Sequence, residues 1–337
     1  MSKNISIYDI AKYINVSPAT VSYVINGVNK VSDKTRKAVL EAIDELGYVI
    51  DHNARSLSTG KSHLIGLYLP LDYTSKTFLQ NPFYVEFIGG LQLGIKDKDY
   101  DIVIGSYNNL MDINAWAKSR KLDGIIILGN YSETVYKNLK DLDIPIVLTD
   151  IYETYSSEFN NVRVDDEKGM YLATKHLIEN NHKLIGFVGY NTSSLVDMAR
   201  FNGYKKAMDE NNLNVDFNYV YPCYATFESG YEVGEKLLNQ SNVTAVVCVA
   251  DTIAISIIKK FSENNKVIPD DLSIVGFDDI QMSKYVYPSL TTIKQDINEK
   301  GRRASEIIIN CLVNNSNNNL IVNIDPILIE RESVKKI

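Results

Sequence analysis

The sequence predicts an α/β chain in which a small N-terminal helix-turn-helix headpiece precedes two doubly wound lobes. Three observations carry that expectation. Two short amphipathic helical segments, joined by a tight connection, stand within the first 26 residues. From His63 onward short apolar runs alternate with amphipathic helical stretches, the pattern of βαβ units that build parallel sheets covered on both faces. At 337 residues the chain is long enough for two or three domains.

The first helix opens at Ser6 with Asp9 three residues on, a capping box in which each side chain satisfies a free backbone donor. Ile7, Ile10, Ala11 and Ile14 then share one face. The second opens with Ser17 as N-cap and Pro18 at the first helical position, where a missing N–H costs nothing. Val21, Val24 and Ile25 point inward and Gly27 is the expected stop. A third helix starts near Ser32, carries Val39, Ala42, Ile43 and Leu46 at helical spacing and stops at Gly47. In such an arrangement the second helix presents its outward residues to a major groove.

Charge is unevenly distributed. The net charge is −7, yet residues 1–40 hold Lys3, Lys12, Lys30, Lys34, Arg36 and Lys37 against Asp9 and Asp33, a balance of +4 that leaves −11 for the remaining 297 residues. A basic end on an acidic body suits a small domain that meets a polyanion; a solvated helical face is the bland alternative. The apolar fraction of 45% excludes disorder and collagen-like repeats. No run approaches the roughly 18–20 apolar residues of a membrane span, and Met1 to Ile10 lacks the apolar core of a secretory signal. A cytoplasmic location without membrane contact is expected. Cys223, Cys248 and Cys311 are too dispersed for a disulfide framework or a CxxC metal pair and are read as buried thiols.

Strands are expected at 64–69, 102–105, 124–128, 144–148, 184–188, 245–249 and 272–276, with a break between lobes near 152–161 and a return crossing near 289–295. An Asn/Ser-rich loop at 314–319 is given no function. Enzyme motifs fail. Gly60-Lys61-Ser62 looks like the end of a phosphate loop, but Arg55 stands where its first glycine must be; Gly89, Gly90 and Gly94 lack GxGxxG spacing. His176 and His182 are six apart without HExxH, which favours a solvent-facing or capping role over a metal, and there is no GxSxG elbow. No catalytic residues, metal or cofactor are expected.

Ile7-Tyr8-Asp9-Ile10-Ala11 and Val16-Ser17-Pro18-Ala19-Thr20-Val21-Ser22-Tyr23-Val24-Ile25-Asn26-Gly27, with Val31-Ser32, Thr35-Arg36, Leu46-Gly47-Tyr48 and Asn53-Ala54-Arg55-Ser56-Leu57, resemble the headpiece of the LacI/GalR family of bacterial repressors. The likeness extends more weakly to Gly124, Arg200 with Gly203-Tyr204, Val275-Gly276-Phe277-Asp278 and Leu290-Thr291-Thr292-Ile293. It implies lobes like those of a periplasmic sugar-binding protein. It further implies a headpiece at 1–60 with a hinge segment at 51–59, and an effector-binding and dimerisation core at 61–337. Partners would be double-stranded operator DNA, a second copy of the chain and a small effector, expected to be a sugar. A global carbon regulator with a phosphocarrier co-repressor is the alternative, and a doubly wound enzyme with a basic end is a remote one. No heptad tail follows the last strand before Ile337, so a dimer is expected rather than a tetramer built on such a tail.

The resemblance assigns DNA contacts to Ser6, Ser17, Pro18, Ala19, Thr20, Ser22, Tyr23, Asn26, Val31, Ser32, Thr35, Ala54 and Leu57. Ala19 offers only apolar contact, such as to a thymine methyl; the hydroxyls and the amide suit phosphates. Tyr23 departs from relatives that carry Arg and could grip guanine bidentately, so operator preference should differ, unless Tyr23 merely packs on the surface. Leu57 matches the residue that wedges into a minor groove, the other reading being a plain linker leucine. Ile50 stands where many relatives have Pro. For the effector, the resemblance points to Arg200 and Asp278. Strand-end reasoning adds Asp150 and Asp251, the latter preferred as a helix cap, and Phe83 with Tyr84 supply flat faces. Ala225 and Ala250 replace an aromatic and a polar residue common in relatives.

Overall fold

The computed structural model describes residues 5–26, 28–48, 60–70, 82–106, 112–129, 131, 133–239, 242–314 and 319–337. The chain divides into two units, Met1–His63 and Leu64–Ile337.

In the first unit, α1 (Ile7–Tyr13), α2 (Pro18–Ile25) and α3 (Asp33–Leu46) bury Ile10, Ala11, Val21, Val24, Val39 and Ala42 in one small core. Their starts follow from side chains that replace missing helical acceptors. The Ser6 amide donates to Asp9 Oδ2 at 2.9 Å while the Asp9 amide donates to Ser6 Oγ at 3.4 Å. Ser17 Oγ accepts from the Thr20 amide at 3.1 Å, and Ser32 Oγ from the Thr35 amide at 3.3 Å. α3 ends because Gly47 adopts φ 63°, a left-handed conformation that glycine takes at no steric cost. α2 is capped at its end by Asn26; the expected stop, Gly27, lies outside the described residues.

The second unit holds two six-stranded sheets. The first is built from β1 (Leu64–Leu69), β2 (Asp101–Ser106), β3 (Gly124–Leu128), β4 (Ile146–Thr149), β5 (Asn160–Val164) and β11 (Ile321–Ile324), in the order β11-β5-β4-β3-β1-β2, every pairing parallel. The other takes β6 (Ile185–Val188), β7 (Val220–Tyr221), β8 (Ala245–Cys248), β9 (Ser273–Asp278), β10 (Thr291–Lys294) and β12 (Ile327–Ile329), in the order β12-β10-β9-β8-β6-β7; only β12 runs antiparallel to its neighbour. Each sheet reverses its strand order once, between β1 and β3 and between β6 and β8, and ligands of such sheets bind beyond the carboxyl ends near that reversal.

Helices α4 (Pro82–Ile95), α5 (Ile113–Arg120) and α6 (Glu133–Leu139) belong to the first lobe, and α7 (Asp166–Glu179), α8 (Leu195–Glu210), α9 (Phe227–Leu238) and α10 (Asp251–Glu263) to the second. α11 (Ile297–Asn314) returns to the first lobe and lies against α4. The glycines that fail as a nucleotide motif explain this packing. A Cβ on Gly90 would stand 2.1 Å from the Asn298 carbonyl oxygen, and one on Gly94 1.9 Å from Ser305 Oγ. Gly301 on α11 answers them, its imagined Cβ 2.3 Å from the Phe87 carbonyl.

The first lobe boundary departs from expectation: the lobe continues through 152–161 into β5, so the first crossing follows Val164. Residues 289–295 contain β10, a full member of the second sheet, and the return crossing begins at their end, at Gln295, close to where it is expected. A third crossing joins β11 to β12. The edge strands β7, β11 and β12, of two to four residues, are too brief to show a period, so the sequence pattern does not place them, whereas the six-residue edge strand β2 is found where it is expected.

Candidate functional site

Where the carboxyl ends of the two sheets face each other, they enclose a cavity of about 230 Å³. Phe83 and Tyr84 reach it from the first turn of α4, Asp150 from the end of β4, Arg200 from α8 and Asp278 from the end of β9. All five residues singled out for an effector therefore line one cavity. Ala225 and Ala250 line it too, and their short side chains leave room where bulkier ones would project. Asp150 sits at φ 55° and Asp278 at φ 120°, left-handed backbone that non-glycine residues adopt at a cost and that clusters at functional sites.

A chain of polar contacts runs behind this lining. Lys300 Nζ on α11 donates to Asp150 Oδ2 and to Gln295 Oε1; Gln295 Nε2 donates to Asp278 Oδ1. Arg200 Nη1 stands 4.0 Å from Asp278 Oδ1, while Nε and Nη2 each lie 2.7 Å from Asp166 Oδ1 and Nη1 donates to the Val249 carbonyl. The Tyr152 hydroxyl lies 2.6 Å from Asp166 Oδ2, and the Arg200 guanidinium stacks 3.8 Å from the centre of the Phe277 ring.

These contacts set the charges. Burial raises the pKa of Asp150, and Lys300 pulls it back. Burial likewise pushes Asp278 up to about 7, against the lowering effect of Arg200, Gln295 and Lys300. Burial works against the Arg200 charge, but Asp166, Asp278 and Asp197 outweigh it and hold its pKa above the ordinary arginine value. Tyr152 is raised by burial and by the neighbouring Asp166.

Arg200 thus pairs chiefly with Asp166, and Asp278 stands farther off. Two sequence-based expectations need correction. Asp251 does not cap its own helix, whose N-cap Ala250 has no side-chain bond; instead its carboxylate accepts from Ser283 Oγ, Thr292 Oγ1 and the Ile280 amide. Neither His176 nor His182 faces solvent: both are buried, and the His182 ring bridges Thr244 Oγ1 and the Lys335 carbonyl, each at 3.0 Å. Cys248 and Cys311 are buried and Cys223 half-buried, all as free thiols. Among the described residues no group of His, Cys, Asp and Glu could hold a metal. No described helix is long and apolar enough to cross a membrane.

Sequence reasoning misses Asp166, Gln295, Lys300 and Tyr152. Gln295 stands two residues beyond the Thr291-Thr292-Ile293 run and could be found there. Lys300 sits on α11 in line with Ile297, Ala304 and Ile308, a cation on an otherwise buried apolar face, which is a usable signal. Nothing local marks Asp166 or Tyr152.

In the headpiece, Ser17, Ala19, Tyr23 and Ser32 are exposed, whereas Ser6, Pro18, Thr20, Ser22, Asn26 and Thr35 are half-buried. Val31 packs against the headpiece core. The Ser17–Thr20 and Ser32–Thr35 hydroxyl pairs, each 2.9 Å apart, crown the N-termini of α2 and α3, where backbone N–H groups favour anions. Lys30 Nζ lies 5.5 Å from the centre of the Tyr23 ring. Ala54, Leu57 and the segment 51–59 lie outside the described residues.

The sequence profile of bacterial regulatory proteins of the lacI family matches residues 6–51, and that of the periplasmic binding protein-like domain matches residues 174–334. The chain is 32% identical to the Ribose operon repressor of Haemophilus influenzae, across 97% of each chain. It is 30% identical to the HTH-type transcriptional repressor PurR of Vibrio campbellii, across 98% of this chain and 99% of that one. The chain belongs to the LacI family. As a member it is a DNA-binding transcriptional regulator with two periplasmic-binding-like lobes, as its resemblance implied. A solved structure of a LacI family regulator from Enterococcus faecium, with bound ribose, superposes at a TM-score of 0.72 with 26% identity, covering 81% of this chain and 99% of that chain.

Proposed function

We propose that this LacI-family regulator represses transcription as a homodimer on operator DNA and that an uncharged sugar in the interlobe cavity controls it. Residues 1–60, with 51–59 as hinge and Leu57 as wedge, would be the DNA-binding part; 61–337 would bind effector and partner copy. The observation that supports the effector most is the cavity lining. Arg200 offers donors, Asp150 and Asp278 offer acceptors, and Phe83 and Tyr84 offer aromatic faces, the combination that adjacent sugar hydroxyls and C–H groups require. At roughly 30 Å³ per water the space equals about eight waters, the scale of a monosaccharide. Asp150, Glu153 and Asp278 face it, the one cation in its lining, Arg200, is already engaged by Asp166, and Lys300 behind the wall is engaged by Asp150, so a phosphorylated sugar would meet carboxyls with no cation left to pair with it. The ribose in the Enterococcus faecium structure and the name of the Haemophilus influenzae relative agree with this class. The cavity acids are held by cations and amides rather than set against a nucleophile, which suits a binder and not an enzyme.

A surface for the second copy is available on the core. Val85 and Leu93, exposed on α4, are eight residues apart and share a face; Met282, Tyr285 and Tyr287 are exposed on the loop whose Gln281 amide donates to Glu86 Oε1 on α4 at 3.2 Å. A twofold pairing would place two headpieces on a pseudo-palindromic site.

Two measurements test this. In a thermal-shift series D-ribose and other uncharged pentoses and hexoses are compared with ribose 5-phosphate. One uncharged sugar at about 100 times its Kd should add roughly 2.7 kcal/mol of stability, with no response to the phosphate ester; a response to the ester alone would sink the effector assignment. Gel-shift titrations on a selected operator should lose affinity steeply with salt, the logarithmic slope being about 0.9 per phosphate neutralised. A near-zero slope contradicts the headpiece assignment.

A further inference from the structure

Lys300 has no exposed surface and does not line the cavity, yet it touches the supports of both cavity walls. A buried ammonium is tolerable only with partners for its three donors. Here they are Asp150 at the end of β4, Gln295 on the crossing between lobes, and the face of Phe83 on α4, whose ring centre lies 5.3 Å from Nζ. Gln295 spends its amide N–H on Asp278 of the second lobe. One cation thereby holds a carboxylate on each side of the cavity, one directly and one through an amide.

We propose that Lys300 is a positioning residue for the effector, fixing Asp150 and, through Gln295, Asp278 as acceptors aimed into the cavity. The proposal rests on the reading that this cavity is the effector site. The alternative role is packing, in which the Lys300 stem only fills space between α11 and α4.

Most surrounding charges are engaged elsewhere, Asp251 by three donors of its own, while Glu153 faces the same cavity. On its own helix Glu299 is bound by Arg302 and Arg303, and Asp296, just before that helix, pairs with Lys294 at 3.1 Å. From α4, Glu86 is engaged by the Gln281 amide. In the second lobe Arg200 is held by Asp166, and both act on Asp150 from across the cavity. Lys300 is thus the cation in direct contact with Asp150. Without it Asp150 rises further above the ordinary carboxylate range, and Asp278, already near 7, rises too. A neighbouring opposite charge typically moves a carboxyl by about 1–3 pH units.

The test uses the full chain and needs no knowledge of the ligand in its first arm. Melting temperature is measured from pH 5 to pH 8 for the wild type, Lys300→Met, Lys300→Arg and the double variant Lys300→Met with Asp150→Asn. A carboxyl with a raised folded pKa has stability that is present at low pH and lost as pH rises through that pKa. The deficit of Lys300→Met should therefore be small at pH 5 and widen toward pH 8; Arg should largely restore the wild-type curve, and the double variant should lose the widening. A deficit constant across this range, or one that Arg does not relieve, overturns the proposal in favour of packing. In the second arm D-ribose is titrated calorimetrically from pH 6 to pH 9. Lys300→Met should bind at least tenfold more weakly at pH 7 and regain affinity about 1–3 pH units higher, whereas unchanged affinity at every pH overturns the positioning role. If ribose fails with the wild type itself, the ribose assignment falls and the melting series alone decides for or against Lys300.

Discussion

Replacing Arg200 by Ala should cost the core about 3–5 kcal/mol and abolish the effector response together, because one guanidinium serves both. It is buried, its Nε and Nη2 hold Asp166 Oδ1, itself 2% exposed, and the same group lies at the cavity wall 4.0 Å from Asp278. Removal leaves Asp166 buried without its cation, and the Phe277 ring loses the flat group stacked on it. Two further variants separate the roles. Arg200→Lys keeps the charge but loses the planar fork, so it should retain most of the melting temperature while binding the effector at least tenfold less, about 1.4 kcal/mol or more. Arg200→Ala with Asp166→Asn should recover much of the stability, having no stranded carboxylate, and still fail to respond. Chemical denaturation and effector titration of the set are the measurements. An Arg200→Ala protein of near-normal stability would show that Asp166 relaxes into solvent, and one that still responds would move the effector away from this wall.

How much of this was legible depended on whether the cause was local. Ser6 with Asp9, Ser17 with Pro18, and Ser32 with Gly47 state their helix ends within four residues or by a single glycine, and each cap is found as expected. The strands 64–69 and 124–128 are apolar runs of fitting length and coincide with β1 and β3. The cavity acids Asp150 and Asp278 follow apolar strands, so their place beyond the carboxyl ends could be read. What decides the function of those acids lies far off in sequence. Lys300 is 150 residues from Asp150, and Arg200 is 34 from Asp166; no period or spacing links them. The misreading of Asp251 has the same origin. An acid just after a strand and at the start of a helix suggests a cap, while its partners, Ile280, Ser283 and Thr292, are 29 to 41 residues downstream.

Asp251→Ala should therefore destabilise the second lobe by about 3 kcal/mol or more, although the residue touches no candidate effector contact. Its carboxylate is fully buried and accepts from the Ile280 amide at 3.0 Å, from Ser283 Oγ at 2.7 Å and from Thr292 Oγ1 at 2.5 Å; Ser283 and Thr292 are fully buried as well. Alanine strands three donors in a dry interior, at about 1–3 kcal/mol each before relaxation. At roughly 2–4 °C per kcal/mol for a large domain, the melting temperature should fall by about 6–12 °C. Gly276 offers the same test from the opposite side: a Cβ there would stand 2.1 Å from Asp251 Oδ1, so Gly276→Ala must push the carboxylate off its donors. The two substitutions strike one interaction, and Asp251→Ala also vacates the space that a methyl group on Gly276 would need. The double variant should accordingly lose well under the sum of the two single losses, a coupling on the scale of about 0.5–3 kcal/mol that groups in contact show. Strictly additive losses would mean that the Asp251 clamp is not what holds the segment from Ile280 to Thr292 against β9, and that the stability of this lobe is carried by its apolar core alone.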